Sequence, residues 1–322
     1  MMVRYRHLLS LLAIAVAGCI SATSAPRAVA ADVTGAQARG SLQQTFATSE
    51  AAVHALVAAA RSSDTKRIGQ ILGPGSGKLI RSGDPVADER ARARFLETYD
   101  RHSRIEQDGE ARATLLIGEN DWPFPFPLVK RGEGWSFDVK SGADEVINRR
   151  VGRNELSSIQ VCLAYVDAQR EYAATQGNVD GLHQYAAKLV SAPGMKDGLY
   201  WPTPDGLPAS PLGPLAAKAR AEGYGERKNA VNAPYHGYLY RILTAQGPDA
   251  PGGAYDYVVK GRLIGGHALV AYPARWGASG VMTFLVNHDG VVYQKNLGKR
   301  TAAIASRMTQ FNPDATWSKA QP

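Results

Sequence analysis

Cysteine is nearly absent from this 322-residue chain: Cys19 and Cys162 are the whole supply. Cys19 lies in a leader-like stretch, where it is either removed or acylated, so no intramolecular disulfide is expected to hold the fold. Cys162 falls on an apolar helical face with Ile159, Leu163 and Val166, and a buried small hydrophobe accounts for it. No histidine lies near it in sequence to activate the thiol. Long apolar runs are also missing, for the longest, residues 8–17, is too short to span a bilayer. No basic stripe interleaved with aromatics appears, which speaks against nucleic acid as a partner. No serine elbow, His-x-x-x-His metal pair or cofactor fingerprint is present either, so no cofactor and no metal are expected.

What remains is ordinary globular composition, 44% hydrophobic and 20% charged, enough to exclude wholesale disorder. The formal charge is +8. Arg4, Arg6 and Arg27 belong to the first thirty residues, and the rest of the chain keeps about +5, the balance of a soluble surface. Arginines followed by an apolar run mark residues 1–30 as an export leader. Two processing patterns compete. Residues 16–19, VAGC, resemble a lipobox with Cys19 as the acylated first residue, which would make the leader 1–18. Residues 28–30, AVA, fit ordinary cleavage after Ala30. Export to the periplasm or medium is expected, with a lipid anchor in the envelope as the alternative, and no transmembrane helix in the mature chain.

A polar linker, 31–42, precedes an N-terminal lobe, 43–143. Thr48, Asp64 and Asp84 are placed as helix N-caps, followed by apolar stripes such as Val53, Leu56 and Val57. Residues 73–78, GPGSGK, miss the phosphate-loop pattern, because Leu72 stands at its first glycine and Leu79 at its Ser/Thr. A helix from Asp84 to about Tyr99 carries Arg90, Arg92 and Arg94 on an exposed side. Strands are expected at 113–117, 128–129 and 135–139. Between them the alternating prolines of residues 121–127 forbid a helix or central strand.

Residues 144–318 form the second expected lobe. Val146, Ile147, Val151, Leu156, Ile159, Leu163 and Val166 recur at helical spacing over 144–175, with room for a break at Asn154 and Glu155. Residues 176–187 echo a calcium loop at Asn178, Asp180 and Gly181, but Gln176 and Ala187 occupy its first and last ligand positions. A helix from His183 to Val190 is expected next. A Pro/Gly-rich excursion over 191–234 is anchored by Leu199, Tyr200, Trp201 and Leu212, and a short helix reaches Glu222 within it. Strands then alternate at period two from Tyr238 onward, with a tight hairpin turn at Asp289 and Gly290. A last helix is placed from Thr301 to Met308. The whole reads as α+β.

Three resemblances follow from these residues. Helices leading into a curved antiparallel sheet that ends in GWSFD resemble the cone-shaped nuclear-transport-factor-like fold, which implies a pocket and no particular reaction. Residues 46–52 (FATSEAA), 82–86 (SGDPV), 121–125 (DWPFP), 152–155 (GRNE), 167–172 (DAQREY), 197–202 (DGLYWP), 210–214 (SPLGP), 234–238 (PYHGY) and 254–257 (AYDY) resemble an exported bacterial family catalogued as domain of unknown function 2950. That family implies no activity and transfers no catalytic residue. The second lobe is similar to a pseudopilin headgroup, a helix laid across an antiparallel sheet. It lacks the prepilin leader and long apolar assembly helix that pilus building requires.

The expected function is a non-enzymatic binding or assembly module of the envelope, with an envelope protein or small molecule as partner. Tyr200, Trp201 and Tyr235 are expected at its ligand or partner surface. An alternative places a small ligand in the N-terminal cone against Trp122, Phe124 and Phe126. Another is a hydrolase of an envelope substrate with His236 as base, His236 being the one catalytic candidate.

Overall fold

A computed structural model describes residues 43–179, 181–225 and 233–321. The leader with Cys19 and Ala30, the linker 31–42 and Asp180 lie outside the described residues. Four helices open the first lobe. Thr48 accepts the Ala51 N–H at 3.1 Å and starts α1 (Ser49–Arg61). Asp64 accepts the Arg67 N–H at 2.9 Å and starts α2 (Thr65–Leu72), which stops at Gly73. After the single turn of α3 (Gly77–Ile80), Asp84 caps α4 (Pro85–Arg101), whose first-turn proline needs no N–H partner.

Five strands follow: β1 (Ser103–Asp108), β2 (Arg112–Ile117), β3 (Trp122–Pro123), β4 (Leu128–Arg131) and β5 (Gly134–Phe137). They form one antiparallel sheet in the order β1-β2-β4-β5, with β3 paired to β2. The apolar stripes of α1 and α2, including Val53, Leu56, Ile68 and Ile71, bury against Ala113, Leu115, Leu128, Trp135 and Phe137. β1 has no counterpart in the expected strands. Its sequence, SRIEQD, offers one apolar residue, and backbone pairing with β2 from Ser103–Ile117 to Asp108–Arg112 holds it as an edge.

The second lobe begins with α5 (Ala143–Thr175), continuous through Asn154 and Glu155. Those two side chains reach across rather than break the helix. Asn154 donates to the Ser279 carbonyl at 2.8 Å, and Glu155 accepts the N–H groups of Val281 and Met282 at 2.9 and 3.0 Å. The helix from His183 to Val190 does not form. Its backbone groups are spent elsewhere: Tyr185 N–H donates to Leu263 at 2.7 Å, and Ala186 exchanges two 2.8 Å bonds with the Gln169 side chain. A helical i to i+4 ladder has no groups left there.

Helix α6 (Gly213–Ala221) precedes the second sheet, made of β6 (Tyr238–Leu243), β7 (Ala268–Pro273), β8 (Thr283–Asn287), β9 (Tyr293–Lys295) and β10 (Ser318–Lys319). Its order is β10-β9-β8-β7-β6, antiparallel throughout. Period-two alternation buries both faces. Leu269, Ala271, Phe284 and Val286 meet Ile159, Cys162, Tyr165 and Val166 of α5. Ala268, Val270 and Leu285 meet Leu243, Tyr257 and Phe311 on the other side. The hairpin at Asp289 closes through a 2.9 Å bond from Gly290 N–H to the Asn287 carbonyl. The final helix α7 (Thr301–Ala305) stops short of Met308: the Arg307 and Met308 N–H groups donate three residues back, to the Ile304 and Ala305 carbonyls, and Arg241 donates to the Ala305 and Met308 carbonyls. No helix among the described residues is long and apolar enough to cross a membrane. The fold is α+β.

Candidate functional site

The lobes meet at Asp84. Its carboxylate is fully buried; Oδ1 accepts the Val86 and Ala87 N–H groups at 3.1 Å, and Oδ2 accepts Tyr224 Oη–H and Gly237 N–H, each at 2.8 Å. One side chain thus caps α4 and clamps a turn of the second lobe. That turn is a two-residue hairpin. Tyr235 and Tyr238 exchange backbone hydrogen bonds of 2.9 and 3.1 Å, while His236 and Gly237 both take positive φ, 49° and 75°. Two consecutive left-handed residues are the type I′ requirement. Gly237 is further needed for space, since a Cβ there would lie 2.5 Å from Asn154 Nδ2. A non-glycine residue held at positive φ is uncommon, and here the conformation fixes the direction of the His236 imidazole.

That imidazole faces a cleft of about 510 Å³ between α4, the first half of α5 and the segment after α6. Four arginines line it: Arg90 and Arg94 one turn apart on α4, Arg150 and Arg153 one turn apart on α5. Asp88 and Glu222 are the carboxylates among the lining residues, so the cleft is net positive. Glu222 Oε2 lies 3.2 Å from His236 Nε2 and 3.8 Å from Arg90, without an aligned hydrogen bond among the described residues. Both members of the histidine–glutamate pair are largely covered, with side-chain exposures of 23% and 19%. Burial holds the His236 imidazole below its ordinary pKa, outweighing the opposing pull of Glu222. Burial likewise raises the Asp88 carboxyl, whose oxygens accept the Ser82 N–H. Arg150 is anchored by donating to the Lys78 carbonyl at 3.0 Å and the Leu79 carbonyl at 3.4 Å, and desolvation lowers its pKa. Arg94 and Arg153 have no carboxylate partner among the described residues.

Planar guanidinium groups lining one cleft suit an oxyanion, which accepts paired N–H donors from such groups. An unprotonated imidazole beside them can take up a proton as negative charge arrives. No cluster of three or more histidine, cysteine or acidic side chains among the described residues is arranged to hold a metal ion.

A second, apolar cavity of about 180 Å³ lies alongside, and Tyr200 and Tyr235 line it. Trp201 is buried in the α5-facing core, with Lys196 Nζ 5.5 Å from its ring centre. The aromatic residues of the first lobe part company. Trp122 is 64% exposed on the short β3 pairing. Phe126 is buried, and Phe124 packs against the same core, with ring centres 5.3 Å from Phe126, 5.3 Å from Phe95 and 6.1 Å from Phe137. Neither cavity described here includes Trp122, Phe124 or Phe126 in its lining.

His236 was the cleft residue visible in sequence. In sequence Arg90 and Arg94 read as an exposed helix face and Asp84 as a cap alone, while Arg150, Arg153 and Glu222 carry no motif that marks a site. The i, i+4 and i, i+3 arginine pairs were a usable signal, because such spacing puts both cations on one helix face.

Fold and cleft together define an α+β protein with a basic, ligand-sized cleft between α4, α5 and the segment after α6. The chain belongs to the family described as Protein of unknown function (DUF2950), which matches residues 43–320. No curated protein and no solved structure is significantly similar to it.

Proposed function

We propose that the protein is a non-enzymatic binding module that captures an oxyanion, a phosphate, sulfate or carboxylate group, in the cleft between α4 and α5. The observation that carries this reading is the convergence of four arginines against two carboxylates around the half-buried His236–Glu222 pair. Arg94 and Arg153 would supply the primary contacts, Arg90 and Arg150 would extend the field, and His236 would close the cleft. Asp84 would hold the two lobes in register and leave the anion to the arginines. The Arg94→Gln/Arg153→Gln double variant should bind inorganic phosphate at least tenfold more weakly in equilibrium dialysis while melting at the wild-type temperature, since both side chains are exposed. Equal phosphate affinity of variant and parent would defeat the assignment.

The setting we propose is the cell envelope: periplasmic or secreted, with a lipid anchor on Cys19 as the alternative. The leader pattern in residues 1–30 supports it. Intact mass of the mature chain separates the cases. A start at Ala31 means a diffusing protein, a start at Cys19 with acyl mass means a tethered one, and a retained Met1 would contradict export.

A further inference from the structure

The basic cleft and the apolar cavity lie on one track. Along α5, the cleft is lined by Arg150, Arg153, Asn154 and Ser157, and the cavity by Val161 and Tyr165. Residues 150, 154, 157, 161 and 165 advance by three or four, with Arg153 beside Arg150, so they form one continuous helix face. Along α6 the same holds in reverse: Leu212, Leu215, Ala216 and Ala219 line the cavity, and Glu222 lines the cleft. At the junction stand two consecutive residues of the type I′ hairpin, Tyr235 in the cavity and His236 in the cleft, their rings 4.2 Å apart. Three of the four tyrosine hydroxyls in the lining are engaged by protein partners. Tyr165 Oη–H donates to the Ala268 carbonyl at 3.1 Å, Tyr240 Oη meets Ser158 Oγ at 3.2 Å and donates to the Tyr235 carbonyl at 3.3 Å, and Tyr200 Oη accepts from Arg220. With those three engaged and the rest of the lining aliphatic apart from Tyr235, the cavity offers an occupant chiefly dispersion and desolvation.

From this we infer that the ligand is a single-chain anionic amphiphile, its head in the arginine cleft and its hydrocarbon tail in the cavity beside Leu215, Ala216 and Tyr235. The inference rests on the oxyanion reading of the cleft and adds the tail. The two features are complementary, because neither a purely polar anion nor a neutral hydrocarbon uses both. A cavity of about 180 Å³ suits one short chain.

The test is calorimetric titration of the full mature chain with inorganic phosphate, butyl phosphate and octyl phosphate, each below its micelle concentration. Affinity should rise with chain length, by up to about fourfold for every methylene fully buried, and level off once the cavity is full. Ala216→Phe, which fills the cavity, should abolish that dependence while inorganic phosphate binds as before. Ala219→Leu serves the same purpose should the larger ring impair folding. If phosphate binds and the alkyl chain adds nothing, the tail assignment is wrong and the oxyanion cleft stands. If the chain-length gain survives both cavity-filling variants, the tail lies elsewhere and the inference falls. If no member of the series binds, the cleft reading fails and the tail inference fails with it. Tighter binding to vesicles of anionic two-chain lipid than to octyl phosphate would replace a monomeric amphiphile by a membrane surface and overturn the inference.

Discussion

Two histidines show how burial sets protonation in this protein. His236 shares its cleft with Glu222 and remains below its ordinary pKa because desolvation dominates. His267 is the more extreme case. It is fully buried, its ring packs against Tyr165 and Tyr185, and neither ring nitrogen has a partner among the described residues. Burial first, then the charges of His288 and Arg170, push its pKa down to about 3. The unfolded chain, with an ordinary imidazole near 6.5, binds the proton that the folded chain refuses. Stability therefore falls as pH drops from about 6.5 toward 3. At pH 5 the loss is about 2 kcal/mol, because pH 5 lies roughly a unit and a half below the unfolded pKa and still above the folded one. His267→Phe, similar in shape and without titration, should flatten the stability profile between pH 7 and 5 by about that amount in urea melts. A variant with the parent's acid slope would show that His267 does not carry it.

At the scale of elements, the organising contact is the Asp84 carboxylate, which serves α4 and the His236 turn together. Asp84→Asn keeps the size but gives up charge-assisted bonds to buried donors, each typically worth about 1.5–3 kcal/mol. A loss of about 3 kcal/mol in chemical denaturation is expected, along with weaker anion binding because the His236 turn is released. A loss below about 0.5 kcal/mol would mean that the bridge is incidental.

The helices were the most legible elements, since their caps and stripes are local: Thr48, Asp64 and Asp84 start helices where the sequence places them. The strands of the second sheet were legible for the same reason, as residues 268–273 and 283–287 are short apolar runs bounded by turn residues. β1 was not, because a polar edge strand is defined by its partner's backbone and not by its own side chains. Residues 183–190 were misread because the groups that unwind them belong to Gln169 and Leu263. The site suffered most from this locality. Arg90 and Arg94 reveal a cationic helix face, and Arg150 and Arg153 another. Nothing near them in sequence says that the two faces oppose each other across His236. Glu222 and His236 are fourteen positions apart, joined by the fold and by no motif.

Across the whole molecule, three hydrophobic cores, one under the first sheet and one on each face of the second, lie within one compact unit comprising the described residues. The first lobe contributes α4, the second contributes α5 and the His236 turn, and the cleft exists only where they meet. A cleft built on two rigid helices needs little rearrangement to receive a ligand, which keeps the ordering cost of binding low. Its excess of arginine would draw anions at low ionic strength and lose range as salt shortens the Debye length to about 8 Å at physiological strength. The most direct measurement is isothermal titration of the mature chain with inorganic phosphate at low and then physiological salt. The account predicts saturable one-to-one binding that weakens with salt and falls at least tenfold in the Arg94→Gln/Arg153→Gln variant. Heat no greater than that of dilution at both salt concentrations, or binding indifferent to those two arginines, would contradict it.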